Sequence, residues 1–137
     1  MTEFTNAGSV SRFRTVAYWV TTMLVAFELT LGGLWDVLQV PQVRSVMERL
    51  GYPMYFLSIL GIWKLLGAIA LLVPRFPRLK EWAYAGVIFD LTGAVASQLA
   101  SGWMDPANMT FPIVMIGLAA GSWALRPASR RGASGYR

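Results

Sequence analysis

The sequence predicts an all-α protein, a transmembrane four-helix bundle with a short amphipathic helix between the first and second spans. Three observations carry this expectation. Hydrophobic residues make up 55% of the 137, and the mean hydropathy is +0.49. Charged residues make up 14%, against about 25% in a soluble domain. Four apolar runs divide the chain, each near the roughly 17–25 residues a spanning helix needs.

The runs cover about Thr15–Trp35, Met54–Val73, Trp82–Ser101 and Thr110–Leu125. None alternates with period two, which sets a β-barrel aside. Trp19, Trp35, Trp82, Trp103 and Trp123 fall near run ends, where interfacial aromatic belts form, while Trp63 sits mid-run beside Lys64. The first run is too long for a signal-peptide core and has no small-residue cleavage site, so it reads as a retained helix. Residues 15–125 form the predicted transmembrane domain. Residues 1–14 read as a cytoplasmic tail, and residues 126–137, rich in Ser, Gly and Arg, as a basic disordered tail.

The net charge of +5 is gathered at the ends of the apolar runs. Arg12 and Arg14 precede the first; Arg75, Arg78 and Lys80 separate the second and third; Arg126, Arg130, Arg131 and Arg137 follow the last. Only Arg44 and Arg49 lie in the first loop, and the third has neither Lys nor Arg. This asymmetry places both termini in the cytoplasm, in an inner or plasma membrane, and sets a nucleic-acid partner aside. In the first loop, Val37, Val40, Val43, Val46, Met47 and Leu50 recur at helical spacing, with a start at Pro41, which suits a first turn. The stripe fits either an amphipathic helix on the membrane interface or a connector packed on the bundle. The basic turn Pro74–Arg78 reads as a headgroup anchor.

The chain has neither Cys nor His. Disulfides, thiolate chemistry and iron–sulfur ligation are excluded within it, and the usual imidazole ligand for haem or zinc is absent. No intrinsic cofactor is expected. Redox chemistry would fall to a diffusible quinone or to a partner's centre.

Glu28, Lys64 and Asp90 interrupt the apolar runs. A charge at the bilayer centre costs about 2.5–3.5 kcal/mol on insertion scales, so such residues face a bundle interior, pair, or line a ligand or proton path. Helical rise puts Lys64 and Asp90 near mid-depth and Glu28 about one turn away. The three form a candidate triad, either a polar clamp on helix register or a site. Small residues flank them: Gly86, Gly93 and Ser97 around Asp90, Gly67 and Ala68 after Lys64. Together with Gly117 and Gly121 they predict close helix approach. Trp35, Trp63, Ser97 and Gln98 are candidate ligand-binding residues. Asp36, at the end of the first run, reads as an interfacial polar residue with no ligand role, the alternative being a cavity mouth that it would form with Trp35, Ser97, Gln98 and Trp103.

The stretch Gly61-Ile62-Trp63-Lys64-Leu65-Leu66-Gly67-Ala68, then Leu79-Lys80-Glu81-Trp82-Ala83-Tyr84-Ala85-Gly86 and Phe89-Asp90-Leu91-Thr92-Gly93-Ala94, resembles the DoxX-like family of small four-span membrane proteins. Gly33-Leu34-Trp35-Asp36 and Leu50-Gly51-Tyr52-Pro53 fit the same resemblance, which covers residues 15–125. It implies a four-helix membrane bundle. Relatives are linked to thiosulfate–quinone oxidoreduction, to membrane redox complexes and to receptor assembly. Many of them carry a histidine after the serine matching Ser97; this chain has Gln98, so no imidazole role carries over.

Two functional expectations follow. One is an accessory or quinone/lipid-binding subunit of a membrane redox system, with a membrane protein partner or a second copy of itself. The other is a cofactor-independent enzyme (isomerase, cyclase or epoxide-opening hydrolase) acting on a lipophilic small molecule, with Glu28 and Asp90 as acid and base and Lys64 tuning them. A transporter ranks behind both, because no inverted repeat or broken helix pair is visible.

Overall fold

The computed structural model describes residues 2–127, with side chains from residue 8 onward. Five helices follow in order: α1 (Thr2–Leu38), α2 (Pro41–Leu50), α3 (Met54–Leu72), α4 (Pro77–Ser101) and α5 (Pro106–Ala124). Four of them, α1, α3, α4 and α5, are long and apolar enough to cross a membrane. Proline opens α2, α4 and α5 at the first turn, where its missing N–H costs no hydrogen bond. The Asp105 carboxylate caps α5 by accepting from Ala107 N–H at 3.1 Å. Gly51 (φ 80°) and Gly102 (φ 73°) end α2 and α4 in the left-handed conformation that glycine adopts without strain.

The spans form an up-and-down ring in which α1 packs on α3, α3 on α4, α4 on α5 and α5 back on α1. The bundle is inverted relative to a soluble protein. Phe13, Phe27, Trp82 and Phe89 point outward, each at least 66% exposed, as lipid contact requires. Hydroxyls on this surface bond back to their own helix, as Thr30 does to the Ala26 carbonyl at 2.8 Å and Thr92 to that of Ile88 at 2.7 Å.

The apolar core lies toward the end of the bundle where the termini sit. Val25, Leu29, Leu71, Val87, Leu91 and Met115 form its centre. Beside it lies a buried hydroxyl cluster that the sequence did not reveal. Thr22 and Ser122 approach to 2.5 Å, and Tyr84 bonds the same Ser122 oxygen at 2.7 Å, tying α1, α4 and α5 together.

That end differs from expectation in three respects. The segment read as an N-terminal tail continues α1 back to Thr2. Lys80, counted with Arg75 and Arg78 among the basic residues between the second and third runs, is 1% exposed. Its ammonium donates to the Ala70 and Val73 carbonyls, which the end of α3 leaves without helical partners. Arg126, read as tail, is buried and pairs with Glu81 at 2.5 Å, while Trp123 Nε1 donates to the other Glu81 oxygen at 3.1 Å. Residues 128–137, the rest of the predicted disordered tail, lie outside the described residues.

The predicted close approach through small residues occurs at a different place. A Cβ on Gly86, Gly93 or Gly117 would meet nothing within 4 Å, so these glycines open space rather than bring helices together. Close contact falls instead at Gly33 and Gly61, where α1 and α3 cross. A Cβ on Gly61 would lie 2.6 Å from Val37 Cγ2 and 2.7 Å from the Gly33 carbonyl oxygen. Gly61→Ala should therefore destabilise the fold by about 1–3 kcal/mol through overpacking. Gly86→Ala should be neutral or stabilising by up to about 1 kcal/mol, through helix propensity alone. Reversible unfolding in mixed micelles checks the pair, and equal effects would place the α1–α3 crossing elsewhere.

Candidate functional site

The α1–α3 crossing also sets the charged cluster. Asp36 follows Gly33 by three residues and Lys64 follows Gly61 by three. In antiparallel helices these positions lie on opposite sides of the crossing, about 9 Å apart along the axis. Side chains on a helix lean toward its N-terminus, so both lean back toward the crossing and converge. Lys64 Nζ reaches Asp36 Oδ2 at 2.9 Å, and Asp90 Oδ2 of α4 lies 3.9 Å from the same nitrogen.

The expected triad is thus altered in membership. Lys64 and Asp90 meet as anticipated. The close partner is Asp36, which is 4% exposed and part of the cluster rather than an interfacial bystander. Glu28 is present but has no ion pair with Lys64 within 4 Å. Its Oε1 and the Lys64 ammonium both border the space over Gly32, at 3.1 and 3.6 Å from where a Cβ would stand, and its Oε2 is buried without a hydrogen-bond partner. Three carboxyls therefore surround one ammonium.

Two cavities meet at this cluster. A lateral groove of about 330 Å³ opens between α3 and α4, walled by Leu60, Trp63, Leu66, Trp82 and Gly86, with Lys64 and Asp90 at its polar end. A vestibule of about 280 Å³ occupies the other half of the bundle, beneath α2, and reaches Glu28, Asp36, Lys64 and Asp90 from the opposite side. Lys64, Asp90 and Leu60 line both, and so form the partition between them.

The helix α2 is the roof of the vestibule. Val43, Val46, Met47 and Leu50 turn into it, which is the connector packed on the bundle rather than a helix free on the interface. Two contacts beyond the stripe hold the roof. The Arg49 guanidinium sits 4.9 Å over the Trp103 ring, and the Tyr52 hydroxyl meets Ser97 Oγ at 2.6 Å.

Gln98, 4% exposed, is explained by a proline on the facing helix. Pro112 stands inside α5 and has no N–H to give to the Asn108 carbonyl one turn earlier. Gln98 Nε2 supplies that hydrogen bond at 2.9 Å, the usual way a membrane helix tolerates proline. The amide is thereby oriented, and its Oε1 is left buried without a partner in the vestibule wall.

Of the four candidate ligand residues, Trp63 walls the groove, and Ser97 and Gln98 wall the vestibule. Trp35 lines neither cavity and stands 45% exposed on the flank of α1, one position from Asp36 and therefore turned about 100° away from it. Asp36 was legible in principle from the Gly33 and Gly61 spacing combined with side-chain lean. Glu81, Arg126 and the hydroxyl cluster had no sequence signal beyond polarity near span ends.

An integral membrane four-helix protein, with a buried ion cluster between a lateral groove and a roofed vestibule, is the class these features define. The chain belongs to the DoxX-like family, whose model matches residues 20–122 and so spans every residue of the cluster. No curated protein and no solved structure matches it.

Removing one member of a buried pair leaves the other charge uncompensated, at about 3–5 kcal/mol. Lys64→Met should incur that loss. In double-mutant cycles Lys64 should couple more strongly to Asp36 (2.9 Å, side chain 5% exposed) than to Asp90 (3.9 Å, 25% exposed). Stability measurements on the single and double variants check the ranking, and the reverse order would make Asp90 the structural partner.

Proposed function

We propose that this protein binds a lipophilic small molecule of quinone or lipid type in the lateral groove, as an accessory subunit of a membrane redox system. The observation that carries the reading is an apolar groove that ends on Lys64 and Asp90. A ligand with an apolar body and a polar head matches that distribution, because few placed polar groups in an apolar wall fix orientation. Lys64 would donate to a head oxygen and Asp90 would accept from a hydroxyl. Trp63 and Trp82 would hold the body at the open side. The absence of Cys and His fits a subunit whose redox centre belongs to a partner, in an inner or plasma membrane with both termini cytoplasmic.

A second reading is favoured by one observation, the three carboxyls that share a single ammonium. Glu28 and Asp90 would then serve as acid and base toward a lipophilic substrate, with Lys64 stabilising an oxyanion, and no cofactor would be needed.

Native mass spectrometry of the protein in mild detergent, with a short-tailed benzoquinone as probe, tests the first reading. Wild type should retain the quinone. Gly86→Leu, which fills only the groove, should weaken retention about tenfold, the equivalent of about 1.4 kcal/mol. Gly93→Leu, which fills only the vestibule, should leave it intact. Equal retention by all three would remove the groove as the site. For the second reading, purified protein should turn over lipophilic epoxides or enones unaided, and Asp90→Asn should abolish this while remaining folded.

A further inference from the structure

The vestibule has a chemistry of its own. Glu28, Asp36 and Asp90 line it with Lys64 as the one cation in its wall. The other charged groups near it face away: Arg44, Glu48 and Arg49 of α2 are exposed, and Arg49 is engaged over Trp103. The wall is also rich in acceptors that the fold leaves unused. Gln98 Oε1 is buried without a partner although its residue is 4% exposed, and Glu28 Oε2 is likewise buried without one. Pro112 fixes the Gln98 amide with its nitrogen toward Asn108, so this oxygen cannot be exchanged for the donor end of the amide without breaking that bond.

Around the acceptors the surface is apolar and aromatic. Tyr52 and Phe56 stack with ring centroids 5.0 Å apart, and both line the cavity with Phe111 and the roof of α2. Among the described residues no three carboxylates converge closely enough to hold a metal ion. The negative charge is spread over the wall instead. A compact metal ion needs converging ligands, whereas an ammonium with several N–H donors and an attached apolar group meets dispersed acceptors and ring faces together.

We propose that the vestibule beneath α2 is a binding site for a small organic ammonium with an apolar body, its ammonium held by Glu28 and its body enclosed by Tyr52, Phe56 and Phe111 toward the end where Gln98 Oε1 lies. This site adjoins the lateral groove across the partition of Leu60, Lys64 and Asp90 and stands whether or not the groove binds a lipophile. Lys64–Asp36 stays paired beside it, and the ammonium offsets the charge of Glu28.

Isothermal titration of the full chain in a nonionic detergent tests it, with benzylammonium chloride and the neutral benzyl alcohol as probes and a detergent-only blank. The amine should bind saturably and at least about tenfold more tightly than the alcohol, as expected for charge-assisted hydrogen bonds. Glu28→Gln should weaken the amine about tenfold. Gly93→Leu should abolish its binding, and Gly86→Leu should change it by less than about twofold. Because a Cβ at either glycine meets nothing within 4 Å, both variants should fold, and they decide the matter if Glu28→Gln does not. The proposal is overturned if amine and alcohol bind alike, if the amine does not saturate, or if Gly86→Leu and Gly93→Leu act equally. It also fails if sodium chloride at matched concentration displaces the amine from wild type no less effectively than a second amine does. Retained quinone with no amine binding would sink this inference and leave the groove untouched; the converse would sink the groove reading.

Discussion

The ion pair between Lys64 and Asp36 lies beside the crossing where α1 and α3 touch backbone to backbone at Gly33 and Gly61, and the rest of the bundle is arranged around it. Ordinary side chains at the crossing would hold the two axes about 8–10 Å apart. With two glycines at the crossing, the lean of both side chains brings the charges together. The pair in turn fixes the register of α1 against α3, since sliding either helix by one residue would separate them by about 1.5 Å and rotate one away. Lipid offers no hydrophobic preference for one register over another, so packing and polar contacts must decide it.

From that crossing the bundle divides along its length. Toward the termini the helices close on an apolar core stitched by the Thr22–Ser122–Tyr84 hydroxyls and by Lys80 over the end of α3. Toward α2 they diverge around the vestibule. Gly93 helps keep that half open by placing no side chain where a residue of ordinary size would fill the space, and Gln98 satisfies the Asn108 carbonyl that Pro112 leaves bare in its wall. The roof, α2, is then needed to cover what the spans do not, which accounts for its half-buried apolar stripe and its anchorage through Tyr52 and Arg49.

The class of fold was readable because a bilayer imposes it: apolar runs of spanning length, basic residues at their ends and Pro41 before an amphipathic stripe leave few alternatives. The location of the polar site was readable for the same reason, since Lys64 and Asp90 stand out against apolar neighbours. Its membership was only partly so. By Cα position Asp36 lies at the periphery of the charges, but a lysine carries its charge about 6 Å from its own backbone, toward the start of its helix. Glycines were read as contact surfaces when most of them are voids; sequence gives the size of a residue but not whether a neighbour fills the space. Lys80 misled in the opposite sense. A basic residue near a span end counts equally toward topology whether it meets a headgroup or caps the preceding helix.

Whether the cluster is a register clamp or a site turns on its surplus. Register needs one pair, and Lys64 with Asp36 supplies it. Buried pairs are seldom more stabilising than apolar residues of the same size, so each further polar group adds desolvation without adding register. Asp90 stands 3.9 Å from an ammonium already engaged, and Glu28 Oε2 and Gln98 Oε1 have no partner at all. A clamp gains nothing from Asp90 or from the free Glu28 and Gln98 oxygens, although the Gln98 nitrogen serves α5 at Pro112. A cavity wall that must receive a polar group gains from each, because acceptors held ready in a water-poor space interact strongly with whatever completes them. The glycines point the same way, since Gly86 and Gly93 keep open the two spaces on either side of the charges. Unused acceptors and preserved volume at one place favour an occupant over a clamp, and they do so independently of what the occupant proves to be.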